Sequence, residues 1–194
     1  RVVSGDVSSI LGDLRANGQV FLINPNGVLI GPTGRIDTAG FIASGLDVPD
    51  ADFLAGGDLR FSGGNGTVVN LGSIRASDGD VFLLGTGVTN AGDISAPNGT
   101  VGLAAGSQIL VKQTGDERVF VEVGSPAGVE QSGTVTAAAA ELKSDSAAGI
   151  NMSGVTVARS VERRGGQIFL RGGSGPVSIS GNVRAESETA GQVI

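Results

Sequence analysis

The stretch 68–106 carries one pattern twice, and this repetition decides the fold. "VVNLGSIRASDGDVFLLG" (68–85) is followed by "VTNAGDISAPNGTVGLAAG" (88–106), and the two copies align with an offset of 20 residues. Eight positions are identical in both copies, and in the first copy they are Val68, Asn70, Gly72, Ile74, Ala76, Gly79, Val81 and Leu83. Self-similarity at a period of about 20 residues is typical of a solenoid, in which each repeat is one structural unit.

A shorter form of the pattern recurs along the rest of the chain. It consists of a glycine, an aliphatic residue two positions later, and an alanine or threonine after two more. Its glycines are Gly12, Gly34, Gly72, Gly92, Gly133 and Gly181. Consecutive glycines lie 22, 38, 20, 41 and 48 residues apart, which is close to one or two periods with insertions.

Within each unit the apolar residues alternate with a period of two, as in "DVFLL" (80–84) and "QIFLR" (167–171). Short alternating runs bounded by Gly, Asn and Pro are typical of short strands joined by tight turns. A unit of about 20 residues with two or three such strands predicts one coil of a parallel β-helix, which buries its inward residues by stacking on its neighbours. We therefore predict an all-β, parallel β-helix over 1–194 with about nine or ten coils, whose corners hold small residues such as Ala76 and Ala96.

Two segments interrupt the repeat, 46–66 and 107–128, and we predict both as excursions that pack outside the helix. The second contains two alternating runs on either side of Thr114–Glu117, which predicts a hairpin. Further coils are expected over 129–194. Helix signals are nearly absent. The alanine-rich run 135–148 has good helix propensity, but Val135 and Ala137 fit the strand repeat, so we predict a strand followed by an irregular turn.

Composition excludes several classes of function. The net charge of −6 argues against nucleic-acid binding, which needs clustered Lys and Arg. The sequence has no Cys and no His, so it lacks thiol nucleophiles, thiolate metal sites and the commonest general base. No uninterrupted apolar run is long enough for a membrane helix. The sequence predicts no catalytic residue, metal or cofactor.

Asn24-Pro25-Asn26-Gly27 separates two apolar runs and has the residues of a type I turn. A residue before proline is held extended, so Asn24 is expected to end the strand that precedes it. Asn70, Asn90 and Gln131 occupy one slot of the repeat and are expected to form a ladder of stacked amides.

Phe21, Phe82 and Phe169 share another slot, which strand alternation turns to the outside of the helix. They are either covered by the two excursions or form an exposed contact patch. The acidic groups of 47–52 and 78–80 lack the spacing of a calcium loop and are expected to be solvated. The pair Arg163-Arg164 is expected in a turn.

Taken together, "SGDVSSILGDLRANGQVFLINPNGVLIGPTGRIDTAGFIASGLDV" (4–48) and the two copies of the repeat resemble the secretion domain of the filamentous haemagglutinin family. These are large bacterial exoproteins of two-partner secretion. The hallmark of the family is Asn-Pro-Asn-Gly followed by a branched aliphatic residue, here Asn24–Gly27 and Val28. The resemblance is strongest over 4–45, clear to about 106 and weaker to the end, and it favours the cysteine-free branch that includes the high-molecular-weight adhesins.

The resemblance implies a right-handed helix and export through a dedicated outer-membrane transporter, whose periplasmic domains recognise the secretion domain. It makes Asn24, Pro25, Asn26 and Gly27 the candidate motif for transporter recognition or for the fold. The protein is expected to be secreted or on the bacterial cell surface, and the rest of the exoprotein to meet a host or bacterial surface. The family's domain usually begins tens of residues earlier with a cap, so we expect the cap to be missing here.

Three functions therefore compete. The leading prediction is a non-enzymatic secretion and folding-nucleus domain. The first alternative is a β-helical adhesin or matrix segment, which the absence of Trp and Tyr for stacking on sugars disfavours. The second is a polysaccharide lyase or hydrolase, which needs paired carboxylates in a groove, whereas the carboxylates here avoid the repeat strands.

Overall fold

In the part of the chain that the structure describes, the backbone winds into a parallel β-helix of seven coils, each of which crosses three faces. The structure is a computed structural model that describes residues 1–2, 5–160, 166–187 and 192–194, so the pair Arg163-Arg164 lies outside the described residues. Our estimate of nine or ten coils was wrong. Successive coils in the first sheet are separated by 20, 40, 20, 41, 21 and 27 residues, because two excursions each take about one period of chain and the sixth coil is longer.

The elements follow one another coil by coil. In chain order they are β1 (Ser8–Ile10), β2 (Asp13–Arg15), β3 (Gln19–Ile23), β4 (Val28–Ile30), β5 (Arg35–Thr38), β6 (Gly40–Ser44), α1 (Asp50–Ala55), β7 (Leu59–Ser62), β8 (Val68–Asn70), β9 (Ser73–Ala76), β10 (Val81–Gly85), β11 (Val88–Asn90), β12 (Asp93–Ala105), β13 (Gln108–Val111), β14 (Val119–Val123), β15 (Val129–Gln131), β16 (Thr134–Ser144), β17 (Ile150–Met152), β18 (Val155–Ser160), β19 (Gln167–Arg171), β20 (Val177–Ile179), β21 (Asn182–Ser187) and β22 (Gln192–Val193).

Each coil contributes one strand to each of three faces. The first face is the seven-stranded sheet β1-β4-β8-β11-β15-β17-β20. The second and third faces belong to one larger sheet, in which β12 and β16 each run across both faces. Their pairing shifts between Ala96 and Thr100, where the chain turns from the second face to the third. The alanine-rich run is part of β16, so the prediction of a strand there is confirmed.

The inside of the helix is a single apolar column. Residues of the same repeat position stack directly on one another, so that Ile74 is in register with Ile94 and Ile94 with Val135. The predicted corner residues Ala76 and Ala96 are fully buried in this column. Each coil therefore depends on its neighbours for burial, as expected for a solenoid.

A buried amide ladder runs along the end of the first face, as predicted. The Asn70 Nδ2 donates to Asn90 Oδ1 at 2.7 Å, and the Asn90 Nδ2 donates to Gln131 Oε1 at 2.7 Å. All three side chains are completely buried. The ladder continues to backbone, since Gln131 Nε2 donates to the carbonyl oxygen of Gly133 at 3.1 Å.

Outside the third face lies a separate three-stranded sheet, which we call the covering sheet. It consists of β7, β13 and β14 in the order β14-β13-β7, all antiparallel. The hairpin predicted around Thr114–Glu117 is thus present, between β13 and β14. The covering sheet and the third face enclose a separate apolar cluster that includes Phe61, Phe82, Ile109 and Val119.

The short helix α1 was not predicted. It spans six residues at the start of the first excursion, between Pro49 and Gly56. A helix of under two turns leaves too few residues to establish a period of 3.6, so the hydrophobic pattern carried no signal for it.

Candidate functional site

The corner Asn24–Gly27 connects the third face of the first coil to the first face of the second. Strand β3 ends at Ile23, as expected for a chain that enters a proline. The N–H of Gly27 donates to the carbonyl oxygen of Asn24 at 2.8 Å, which closes a four-residue turn.

The side chain of Asn24 joins this corner to the first strand of the coil. Its Oδ1 accepts from the N–H of Asn26 at 3.0 Å, and its Nδ2 donates to the carbonyl oxygen of Asp6 at 2.8 Å and to Ser8 Oγ at 2.9 Å. The residue is completely buried. In the folded domain the Asn24 amide is therefore occupied by internal hydrogen bonds and has no surface to offer a partner.

The other residues of the corner have different surroundings. Gly27 has a φ of 118°, and a Cβ there would lie 2.9 Å from the carbonyl oxygen of Thr67 in the next coil, so this position requires glycine. Pro25 is half-buried and accepts from the N–H of Asn65 at 3.2 Å through its carbonyl oxygen. Asn26 is exposed, so it is the residue of the motif that a partner of the folded domain could reach.

A near copy of the motif, Pro97-Asn98-Gly99, provides a comparison within the same chain. It lies inside β12, at the corner between the second and third faces. Asn98 is exposed, and its Nδ2 donates to the carbonyl oxygen of Ser77 at 3.0 Å. The copy thus lies at a different corner of the coil from the hallmark motif. Its asparagine is on the surface and hydrogen-bonds to the preceding coil, whereas Asn24 is buried.

The three phenylalanines predicted to face outward do so, but they do not form an exposed patch. Phe82 is 1% exposed and Phe169 is 4% exposed, while Phe21 is half-buried. The covering sheet buries Phe82, and Phe21 meets the ring of Phe53 edge-on at 5.0 Å between centroids. The interpretation of these residues as an exposed contact patch is therefore wrong for Phe82, which the covering sheet buries, and for Phe169, whose ring centroid lies 5.2 Å from Lys143 Nζ.

One residue of this outward slot is a carboxylate, and sequence reasoning missed it. Glu141 is in register with Phe169 above it and with Gly102 below it. It is completely buried, and it accepts hydrogen bonds from the N–H groups of Arg118 at 2.7 Å and Val119 at 3.0 Å. Glu141 thus holds β14 on the helix through these two hydrogen bonds. In the sequence, this role was indicated by a charged residue at a repeat position that holds phenylalanine in other coils.

Further charges join Glu141 to the loop of the hairpin. Lys143 Nζ, whose side chain is 3% exposed, lies 2.5 Å from Glu117 Oε2 and 3.8 Å from Glu141 Oε2. The other oxygen of Glu117 bonds Arg171 of β19. Arg118 in turn pairs with Asp80 at 3.0 Å, so this acidic residue is partly buried and not solvated as predicted.

The two glutamates have opposite pKa shifts. Burial raises the pKa of Glu141 above its ordinary value, although the hydrogen bonds from the N–H groups of Val119 and Arg118 oppose the shift. Burial also acts to raise the pKa of Glu117, but the hydrogen bonds and charges of Lys143 and Arg171 outweigh it and lower that pKa.

A groove of about 400 Å³ opens beside this network, between β14 and the ends of β16 and β19. Its lining includes Glu117, Phe120, Lys143, Asp145 and Arg171. The carboxylates here are engaged, since Glu117 holds two cations and Asp145 Oδ1 accepts from the N–H of Ser174 at 3.0 Å. Among the described residues, no group of three or more His, Cys, Asp or Glu side chains could hold a metal ion.

Comparison with known proteins assigns the chain to a family. The family described as the TPS secretion domain matches residues 1–185, which include the Asn24–Gly27 corner, the covering sheet and nearly all of the helix. The chain belongs to the TPS secretion domain family. TPS secretion domains are those of two-partner secretion, so this chain is the secretion domain of an exoprotein that is secreted to the cell surface or released. A domain of this family works with an outer-membrane transporter.

Solved and curated relatives agree with this assignment. The chain is similar to the crystal structure of the HMW1 secretion domain from Haemophilus influenzae, with a TM-score of 0.75 and 30% identity over 97% of this TPS domain and 52% of that chain. It is 38% identical over 116 residues to a Heme/hemopexin-binding protein of Haemophilus influenzae strain Rd, a match that covers 55% of this chain and 13% of the relative. A second Heme/hemopexin-binding protein of Haemophilus influenzae is 48% identical over 48 residues, 25% of this chain and 5% of the relative. The TPS domain thus spans a small part of these curated relatives. In the part of the chain that the structure describes, no helix is long and apolar enough to cross a membrane.

Proposed function

We propose that this TPS domain brings its exoprotein to the periplasmic domains of an outer-membrane transporter while the chain is extended, and then nucleates the β-helix outside the cell. The observation that carries the proposal is the burial of Asn24 inside the family's hallmark motif. A side chain that is fully hydrogen-bonded inside the folded domain can contact a transporter only before the first two coils close. Recognition that involves Asn24 therefore precedes folding.

The composition of the strands suits recognition of an extended chain. Short strands with unpaired N–H and C=O groups can add to the edge of a sheet in a partner, and pockets for alternate side chains then give specificity. The repeat offers such a segment once every coil, for example Val20–Ile23 immediately before the corner. Strand addition is thus the mode of binding that we propose for the periplasmic domains.

Folding outside the cell would favour completion of export. Burial of each large apolar side chain in the column contributes roughly 1.5–3 kcal/mol before the entropy of ordering is subtracted. The second coil alone buries Val28, Ile30, Ile36 and Phe41. Because folding of a solenoid can begin at one coil and propagate to its neighbours, the coil that holds the hallmark corner can serve as the nucleus.

We propose no enzymatic function for this domain. A glycoside hydrolase needs one carboxyl group held protonated and a second one nearby that is free to act. In the groove beside β14, Glu117 has a lowered pKa and is bound to Lys143 and Arg171, so it is unsuited to serve as the acid. This geometry favours a structural role for the network.

Adhesion and ligand binding are assigned, in this proposal, to other parts of the exoprotein. Haem iron in proteins is held by His, Cys, Met or Tyr. The domain has no His, Cys or Tyr, and its single methionine, Met152, is completely buried in the column. The haem named in the description of the curated relatives is therefore not proposed as a ligand of this segment.

The test is secretion of the full-length exoprotein with single substitutions at matched corners. Asn24→Ala and Asn26→Ala alter the hallmark motif, and Asn98→Ala alters the exposed asparagine of the near copy as the control. We expect Asn24→Ala to lower the amount of exoprotein in the medium and Asn98→Ala to leave it unchanged. A pull-down of each variant with the transporter's periplasmic domains separates loss of recognition from loss of folding. Normal secretion of both Asn24→Ala and Asn26→Ala would remove the motif from the mechanism.

A further inference from the structure

The first excursion begins with a segment whose tip is exposed to solvent. Residues 47–58, which we call the knob, leave the third face after β6 and contain α1. Every residue from 49 to 58 is exposed, and α1 has no buried residue. Apart from Val48, which is buried at its base, the knob therefore adds little apolar burial to the domain.

The apolar residues of the knob are unusually accessible. Leu54 is 82% exposed and Phe53 is 42% exposed. Phe53 touches the ring of Phe21 by its edge, whereas Leu54 points away from the helix. Single exposed apolar residues are common, but two adjacent ones at the tip of a projecting segment form a compact surface that a pocket of another protein could enclose.

Carboxylates outnumber cations around this surface. The knob contains Asp47, Asp50, Asp52 and Asp58 and no lysine or arginine. Two cations lie near it: Arg1 bonds Asp47 at 2.6 Å and Asp50 at 3.1 Å, and the pKa of Arg60 is raised by its hydrogen bond to Glu122 and further by the charge of Asp52. An acidic rim around an apolar tip complements an apolar pocket with a basic rim, and it disfavours anionic lipid surfaces.

The knob is next to the hallmark corner in the fold. Phe53 contacts Phe21 of β3, the strand that leads into the corner. The same excursion returns to the corner, where the N–H of Asn65 donates to the carbonyl oxygen of Pro25 at 3.2 Å. The knob and the corner are thus connected through Phe21 and through the return of the excursion at Asn65.

We infer that the knob docks on the periplasmic domains of the transporter, with Leu54 and Phe53 in an apolar pocket that has a lysine- or arginine-rich rim. This inference rests on the proposed function and adds a second contact to it. Pro49 on one side and Gly56-Gly57 on the other bound the segment, and both glycines have positive φ. Because its residues make few contacts with the column, the knob is available to the transporter before the coils close as well as after.

Site-specific cross-linking in the full-length exoprotein tests this directly. The domain has no cysteine, so Leu54→Cys places one thiol at the tip for a photoactivatable maleimide. Leu71→Cys, which is also an exposed leucine but on the helix, is the matched control. We expect the transporter's periplasmic domains in the adduct from position 54 and not in that from position 71. Equal adducts from both positions, or none from position 54, would overturn the inference.

Binding strength gives a second readout. With the full-length exoprotein and purified periplasmic domains, Leu54→Gln should weaken binding about tenfold, which is the effect of losing one well-buried aliphatic contact. Asp50→Asn with Asp52→Asn should reduce the dependence of binding on salt. If the wild type binds and Leu54→Gln binds equally well, the docking inference fails while the proposed function stands. If the wild type does not bind, either folded or freshly diluted from denaturant, both fail.

Discussion

Glu141 is predicted to hold the β13–β14 hairpin on the helix, and two substitutions of graded severity test this. Its carboxylate is completely buried and accepts from two N–H groups of the hairpin, at 2.7 and 3.0 Å. Glu141→Gln keeps one oxygen acceptor and replaces the other with an amide NH₂ group, which faces a backbone N–H donor of the hairpin. Glu141→Ala removes both acceptors and leaves a space beside β14.

The size of the effect follows from the number of acceptors that are lost. A buried N–H group that loses its partner costs about 1–3 kcal/mol. Burial of the carboxylate is itself unfavourable, as the raised pKa of Glu141 indicates, so its removal returns part of this cost. We therefore expect each lost acceptor to cost an amount near the low end of this range. The free energy of unfolding should decrease by about 1 kcal/mol for Glu141→Gln and by about 2–3 kcal/mol for Glu141→Ala.

Denaturant titration measures the total loss, and amide hydrogen exchange locates it. Exchange should become faster in β13 and β14 and remain slow in β10, which lies in the column. Glu122→Gln on the same hairpin is the control, since its ion pair with Arg60 is on the surface and should have little effect. Equal stability of all three variants and the wild type, with unchanged exchange in β14, would refute the assignment of Glu141 as the fastening group.

Three further substitutions address the ladder, the hallmark corner and the charged network. Asn90→Ala removes the middle of the amide ladder and leaves the Nδ2 donor of Asn70 and the Oε1 acceptor of Gln131 without partners, so the free energy of unfolding should fall by about 2–4 kcal/mol in a urea titration, with the outward-facing Thr89→Ala as control. Gly27→Ala should cost about 1–3 kcal/mol in the same assay because of the positive φ and the nearby carbonyl oxygen, whereas Gly5→Ala, with open space around it, should be neutral. The lowered folded-state pKa of Glu117 means that its contribution to stability is present above its ordinary value of 4.5 and is lost as the pH falls through the folded pKa. Melting temperatures of Glu117→Gln should therefore lie below those of the wild type at neutral pH and approach them in acid, and a constant difference across this range would contradict the assignment.

The column of the helix could be predicted because stacking forces equivalent positions into the same environment. Ile74 and Ile94 are identical in the sequence and are in register in the structure, and Asn70 and Asn90 are likewise identical and hydrogen-bonded to each other. Residues that face inward in a solenoid repeat in the sequence with the period of the coil, so the pattern reports their contacts.

The number of coils could not be read from length, because the excursions carry no repeat. Both excursions use about one period of chain without adding a coil, and their strands pair with each other across more than 40 residues, as Ile109 does with Phe61. Such non-local antiparallel pairing leaves no signature in either segment alone. The sequence predicted that both excursions pack outside the helix, but not that their strands form one shared sheet.

The charged network was missed for a related reason. Glu141 and Lys143 lie in an alanine-rich strand and resemble ordinary surface residues, yet the hairpin buries them. Their partners Glu117 and Arg171 come from the hairpin loop and from the next coil, so only the folded arrangement brings the four charges together. The exposed tip at Leu54 was likewise not apparent, since α1 is too short to show a helical period.

Secretion of a chain that is prevented from extending tests the central claim most directly. Leu29 and Val69 are half-buried neighbours in register on adjacent coils, at a spacing that a disulfide can bridge, and the domain has no other cysteine. Leu29→Cys with Val69→Cys in the full-length exoprotein should form a disulfide in the oxidising periplasm. If the transporter takes an extended chain, the oxidised double variant should accumulate in the periplasm, and a reductant or either single variant should restore secretion. Secretion of the oxidised double variant at the wild-type level would contradict the account.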